Sequence, residues 1–93
     1  MIMEYSQILK PPRSKVLKSG RVCLSAGEDV GEHITEKKEE LIIILEGTAT
    51  IVIDGKVKTM SKGECYFIPE NTKHNVINRS KNKLEYVYTV ALL

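Results

Sequence analysis

Tryptophan is absent from this 93-residue chain and phenylalanine occurs once, so aliphatic side chains must fill whatever core it has. Ile, Val and Leu crowd the runs after Glu40, Thr50 and Tyr86, and such β-branched enrichment favours strands. No stretch approaches the roughly 20 apolar residues of a membrane-spanning helix, and the first residues lack the apolar segment of a secretion signal. A soluble, cytoplasmic protein with no membrane partner is therefore expected. Cysteine occurs only at Cys23 and Cys65, without the paired spacing of a zinc site or a redox Cys-x-x-Cys; both are expected to be buried and reduced. Equally absent are a phosphate-cradling glycine loop, a dinucleotide fingerprint, a His-Glu-x-x-His helix and a serine nucleophile in an elbow, which excludes the enzyme classes built on them. Charge of one sign is missing too, for the net charge is +2. Lys10, Arg13, Lys15, Lys18 and Arg21 against Glu4 give the first 21 residues +4, which leaves −2 for the rest. A basic arm can meet nucleic acid, but this one has neither interleaved aromatics nor a helix to carry it, so it reads as a solvated lead-in strand with no nucleic-acid partner.

What is present is punctuation. A chain this short makes one domain, burying roughly 60–65% of its unfolded surface. Turn signals recur along it at Ser19-Gly20, Ala26-Gly27, Gly47, Asp54-Gly55, Lys62-Gly63, Pro69-Glu70-Asn71 and the polar Asn78 to Lys83 stretch. Short strand-forming runs lie between them, the pattern of an all-β antiparallel sandwich or barrel. The clearest hairpin joins Thr48 to Ile53 with Lys56 to Met60 through Asp54-Gly55, a pair that supplies the positive φ angles of a two-residue turn. The charged beginning of Glu36 to Leu45 suits a helix, but Leu41-Ile42-Ile43-Ile44-Leu45 is β-rich, short and closed by Gly47, so a strand is expected. Residues 1–14, broken by Pro11-Pro12, read as an N-terminal arm that adds an edge strand or reaches a partner subunit; residues 15–93 form the barrel domain.

Alternation along a strand places residues two apart on one face. His33 then shares a face with Thr35, Glu40 with Ile42 and Ile44, and His74 with Val76 and Asn78. Each polar residue heads a strand whose next same-face positions are largely apolar, so in a barrel His33, Glu40 and His74 gather at one mouth above an apolar floor. Plainer alternatives stand beside this: His33 as a solvated residue of a charged loop, His74 as a backbone hydrogen-bonding partner, and Glu40 as one more charge beside Glu36, Lys37, Lys38 and Glu39. Tyr86 and Tyr88 share a face with Leu84 and Val90, where they line a ligand pocket or pack in the core or a dimer contact.

The spacing of these residues carries a resemblance. Gly27, five residues, His33, one, Thr35, four, Glu40, six, Gly47 resembles the first motif of the cupin family, with Thr35 where the family has a second His. Gly63, five residues, Pro69, one, Asn71, two, His74, three, Asn78 resembles the second, with Asn71 replacing a Gly; Asn is the next best residue for a left-handed turn. Only Glu40, not Glu39, leaves six residues before Gly47. The resemblance implies an antiparallel jelly-roll β-barrel, a homodimer, and a divalent transition metal (Fe, Mn, Ni or Zn) held by His33, Glu40 and His74. Two imidazoles and a carboxylate make a facial triad with open positions, next to which Thr35 would hold a metal-bound water and Asn78, Tyr86 and Tyr88 would complete the ligand pocket. Three functions follow: a metal-dependent enzyme of oxygenase or isomerase type on a small molecule, a non-catalytic binding or sensor module without metal, and an assembly module whose arm is exchanged within a dimer.

Overall fold

A computed structural model describes residues 4–93, so the first three residues of the expected arm lie outside the described residues. The described residues form nine strands: β1 (Glu4–Leu9), β2 (Leu17–Leu24), β3 (His33–Ile34), β4 (Lys38–Glu46), β5 (Thr48–Ile53), β6 (Lys56–Ser61), β7 (Cys65–Ile68), β8 (Lys73–Ile77) and β9 (Leu84–Leu92). They pair antiparallel in two sheets, ordered β1-β2-β9-β4-β7 and β3-β8-β5-β6. The segment from Lys38 to Glu46 is a strand, as its β-rich run requires. No helix among the described residues is long and apolar enough to cross a membrane.

Local chemistry explains the corners. Asp54 and Gly55 both hold positive φ, at 47° and 81°, which closes the β5–β6 hairpin in the tight turn whose twist matches the strands. Gly47 carries the chain from one sheet to the other at φ 83°, where an added Cβ would lie 2.4 Å from the Lys83 carbonyl oxygen. No other residue fits there without moving backbone.

The register of the five-stranded sheet grades its inner wall from polar to apolar. Lys18, Val90 and Glu40 lie side by side on β2, β9 and β4; Gly20, Tyr88 and Ile42 form the next level, Val22, Tyr86 and Ile44 the next, and Leu24 pairs with Leu84 beyond. Ile42, Ile44, Leu24 and Leu84 are fully buried together with Ile51 and Ile68 between the sheets, each contributing about 1.5–3 kcal/mol of apolar burial. On this wall the polar side chains of Lys18 and Glu40 therefore stand at one end, and the other end is core.

The outer face of the same sheet departs from simple alternation. Leu41, Ile43 and Leu45 of β4 and Phe67 of β7 are exposed there, so β4 is apolar on both faces. The expectation that both cysteines are buried fails for the same reason of parity. Cys65 pairs with the outward Ile43 and is exposed, and Cys23, between inward Val22 and Leu24, is half-buried. Their strands are three positions apart in the sheet, about 14 Å at the usual strand spacing, and both thiols are free.

Candidate metal centre

The two histidines meet because β3, only two residues long, pairs with β8 so that His33 stands directly opposite His74. Their rings approach to 4.1 Å between centroids at 61°. Each Nδ1 faces a backbone carbonyl, the Gly31 oxygen at 2.8 Å for His33 and the Thr72 oxygen at 3.0 Å for His74. A carbonyl only accepts, so each neutral imidazole carries its proton on Nδ1 and keeps the Nε2 lone pair for another partner. Glu40 enters from the opposite sheet on β4, and its Oε1 lies 3.3 Å from His74 Nε2. One ligand atom from each of His33, Glu40 and His74 falls within 4.8 Å of the others.

His74 is fully buried, and its Nε2 has no hydrogen-bond partner among the described residues despite the nearby carboxylate. A buried orphan of this kind costs about 1–3 kcal/mol unless something binds it. With two nitrogens and one carboxylate oxygen converging, the donor set fits a borderline divalent transition metal. Electrostatics tune the metal-free state. Burial pushes the His74 imidazole down, but Glu40 beside it and the Thr72 carbonyl outweigh burial and the repulsion of Lys38, so its pKa is raised above the ordinary 6.5.

A cavity of about 250 Å³ opens over His33 and Glu40. Val22, Val30, Val76 and Val90 give it apolar walls, and Tyr86 and Tyr88 also line it. Burial raises the pKa of both phenols, with the charge of Glu40 adding to each and the Tyr5 bond to Tyr88, so both stay protonated at neutral pH. Tyr5 reaches the cavity from β1, and its hydroxyl meets that of Tyr88 at 2.6 Å. Gly20 makes this possible, since a Cβ there would lie 2.6 Å from the Tyr5 ring and 2.8 Å from the Tyr88 ring.

Thr35 and Asn78, expected in the pocket, do not line it. The Thr35 hydroxyl donates to the Pro69 carbonyl at 2.6 Å and accepts from the Thr72 amide at 3.0 Å. Thr35 thus fastens the β7–β8 turn, the same turn whose Thr72 carbonyl orients His74, and has no hydroxyl proton left for a metal-bound water. Asn78 is buried at the other end of β8, where its amide donates to the Leu24 and Asn82 carbonyls and accepts from both the amide and the hydroxyl of Ser80. Lys18 and Lys38 were missed as cavity residues. Parity was the available signal, because Lys18 shares a face with Gly20 and Val22, and Lys38 with Glu40.

Comparison with known proteins fits this geometry. A cupin domain model matches residues 20–90. A mannose-1-phosphate guanylyltransferase of Salmonella montevideo is 36% identical over 67 residues, 72% of this chain and 14% of that protein. The tetracenomycin polyketide synthase protein TcmJ of Streptomyces glaucescens is 23% identical over 80% of this chain and 50% of its own length. The chain thus spans half or less of these curated relatives. Among solved structures, a predicted oxalate decarboxylase from Thermotoga maritima superposes with a TM-score of 0.91 at 26% identity, covering 98% of this chain and 81% of that one. The Cnp3 cupin domain of Schizosaccharomyces pombe gives 0.89 at 18% identity over 98% and 65%, a likeness of fold alone. With the family model spanning most of the chain and a His-Glu-His group at the mouth of an antiparallel barrel, the chain belongs to the cupin domain family.

Proposed function

We propose that this chain is a metal-dependent enzyme of oxygenase or isomerase type, acting on a small molecule in the cavity that His33 and Glu40 line beside buried His74. The observation that carries the reading is the orphan Nε2 of fully buried His74, aimed by its Thr72 bond toward Glu40 and His33. Those three residues would hold Fe, Mn, Ni or Zn, and such an ion supplies Lewis acidity toward a substrate oxygen. The rest falls to the chain's own groups. The valine walls exclude water from the substrate body, and the Tyr86 hydroxyl, which makes no hydrogen bond among the described residues, stays protonated and offers a hydrogen bond at the cavity wall. The Tyr5–Tyr88 pair closes one side.

A binding or sensor module without catalysis is the second reading, favoured by Thr35, whose engagement with the turn leaves three protein ligands rather than four. Exposed Leu41, Ile43, Leu45 and Phe67 support a homodimer through the outer sheet face, and the exposed free thiol of Cys65 suits the reducing cytoplasm. Elemental analysis of the untagged protein beside a His33→Ala variant tests the proposal. Near-stoichiometric metal that disappears in the variant is expected, with light scattering giving twice the chain mass. A protein that ignores added Mn, Fe, Ni and Zn overturns the enzyme reading in favour of the module.

A further inference from the structure

The cavity contains more cationic and donor groups than a metal site requires. Lys18 and Lys38 line it, and each opens an inward-facing series, Lys18-Gly20-Val22-Leu24 on β2 and Lys38-Glu40-Ile42-Ile44 on β4. Neither ammonium group is in an ion pair among the described residues, where the ion pairs are Arg21–Glu85 and His74–Glu40. Lys18 is exposed and Lys38 half-buried, and both stand at the rim of a cavity whose remaining polar lining, Glu40 apart, consists of the His33 imidazole and three phenols.

Position supplies a span. Val90 separates Lys18 from Glu40 across the sheet, so their backbones stand about 10 Å apart at ordinary strand spacing. Lys38 lies two residues before Glu40, about 7 Å along the strand. Both lysines therefore stand at the rim, their backbones about 7–10 Å from that of Glu40. The walls between are Val22, Val30, Val76 and Val90. A cavity of about 250 Å³ lies below the roughly 300–1,000 Å³ of drug-sized sites. Its occupant is small, has an apolar body and carries an acceptor-rich, negatively charged end. Arginine, whose fork is the usual partner of a dianionic phosphate, is not among the lining residues, which are Lys, Tyr, His, Glu and Val.

From these observations we infer that the cavity takes a small aliphatic monocarboxylate, its carboxylate held at the rim by Lys18 and Lys38 and its body packed on the four valines. This rests on the reading above that the cavity is the substrate site, and it names the substrate class. Lys18 and Lys38 are then specificity-determining residues.

The test compares isovalerate with the isosteric neutral amide isovaleramide, titrated by calorimetry and by amide NMR into the full chain, once stripped with EDTA and once loaded with Zn. Stripping matters because a carboxylate could otherwise bind through the ion alone. Isovalerate should bind about tenfold more tightly than the amide in the stripped protein, the effect of two partly exposed charge pairs together, and should shift the amide signals of Val22, Val76 and Val90. In the Lys18→Gln/Lys38→Gln variant that preference should vanish while Zn uptake is retained. Equal binding of acid and amide, no binding of either, an unchanged preference in the variant, or displacement of isovalerate by an equal concentration of inorganic phosphate would each overturn the inference. Failure of the metal reading registers separately, as absent Zn uptake, and leaves the acid-to-amide ratio of the stripped protein untouched.

Discussion

His74 and Asn78 are both fully buried polar side chains on one face of the same stretch of chain, four residues apart, yet the barrel treats them oppositely. At the closed end, Asn78 uses every hydrogen-bonding position it has, two donated and two accepted. At the mouth, His74 uses Nδ1, while its Nε2 makes no hydrogen bond and has only the Glu40 carboxylate, 3.3 Å away, beside it. A satisfied buried amide is a structural peg that ties three segments together. A half-satisfied imidazole beside a carboxylate is a site with a place left open. Burial and residue type do not separate the two; the count of partners does.

The sharpest way to break the comparison is to exchange the readouts. His74→Gln should lower divalent-metal affinity by more than the roughly 10–100-fold that changes outside the ligand set cost, measured by dialysis and elemental analysis. Asn78→Ala should leave metal content alone and destabilise the fold by about 3 kcal/mol or more, since it strands two carbonyls and the Ser80 amide. Thermal unfolding should register this as a melting temperature roughly 10–20 °C lower. Metal loss in Asn78→Ala without unfolding would erase the distinction. A smaller effect belongs to Thr35, which resembles Asn78 more than His74. Thr35→Val keeps the shape and removes the hydroxyl between Pro69 and Thr72, so a cost of about 1–3 kcal/mol is expected in denaturant unfolding, with metal stoichiometry unchanged.

The smallest effect is a pH dependence of stability, and it sharpens the picture of His74 itself. Because its folded pKa is raised above 6.5 by Glu40 and the Thr72 carbonyl in excess of the burial effect, protonated His74 stabilises the metal-free protein below the ordinary imidazole range. That contribution is lost as pH rises through the raised value. The melting temperature of EDTA-treated protein should therefore fall from pH 6 to pH 8, and Glu40→Gln should flatten the curve. Metal-loaded protein should respond with the opposite sign, since protons compete for Nε2 and acidification releases the ion.

Much of the fold was legible because its corners depend on residues with few alternatives. Asp54-Gly55 turns as its composition demands, and Asn71 takes the left-handed conformation, φ 60°, that its place in the second motif requires. Lys37 adopts a similar angle, φ 56°, with no compositional signal, and its carbonyl is fastened by the Leu93 amide from the far end of the chain. Alternation puts Glu40 and His74 on inward faces of their strands, and His33 stands opposite His74, but it fails at Thr35, which follows the last residue of two-residue β3, where period two no longer governs direction. For Asn78 the face was right and the depth wrong, because four residues along β8 cover about 13 Å, enough to pass from the mouth to the closed end. Charge near a chain's basic lead-in or within a Glu-Lys run reads as solvent-facing, and Lys18 is exposed; only the register of β2, β9 and β4 brings Lys18 and Lys38 to the cavity rim.

The graded inner wall has a consequence for how such a barrel diversifies. Lys18 and Lys38 are the first inward positions of their strands, and the levels beneath them already belong to the close-packed interior. Lys18 and Lys38 are not members of the buried cluster, so substitutions at those two positions are expected to change what the mouth selects while the core residues beneath stay the same. A lineage of such barrels can be re-addressed to new molecules by exchanging rim residues one at a time, with the folding of the chain insulated from each trial.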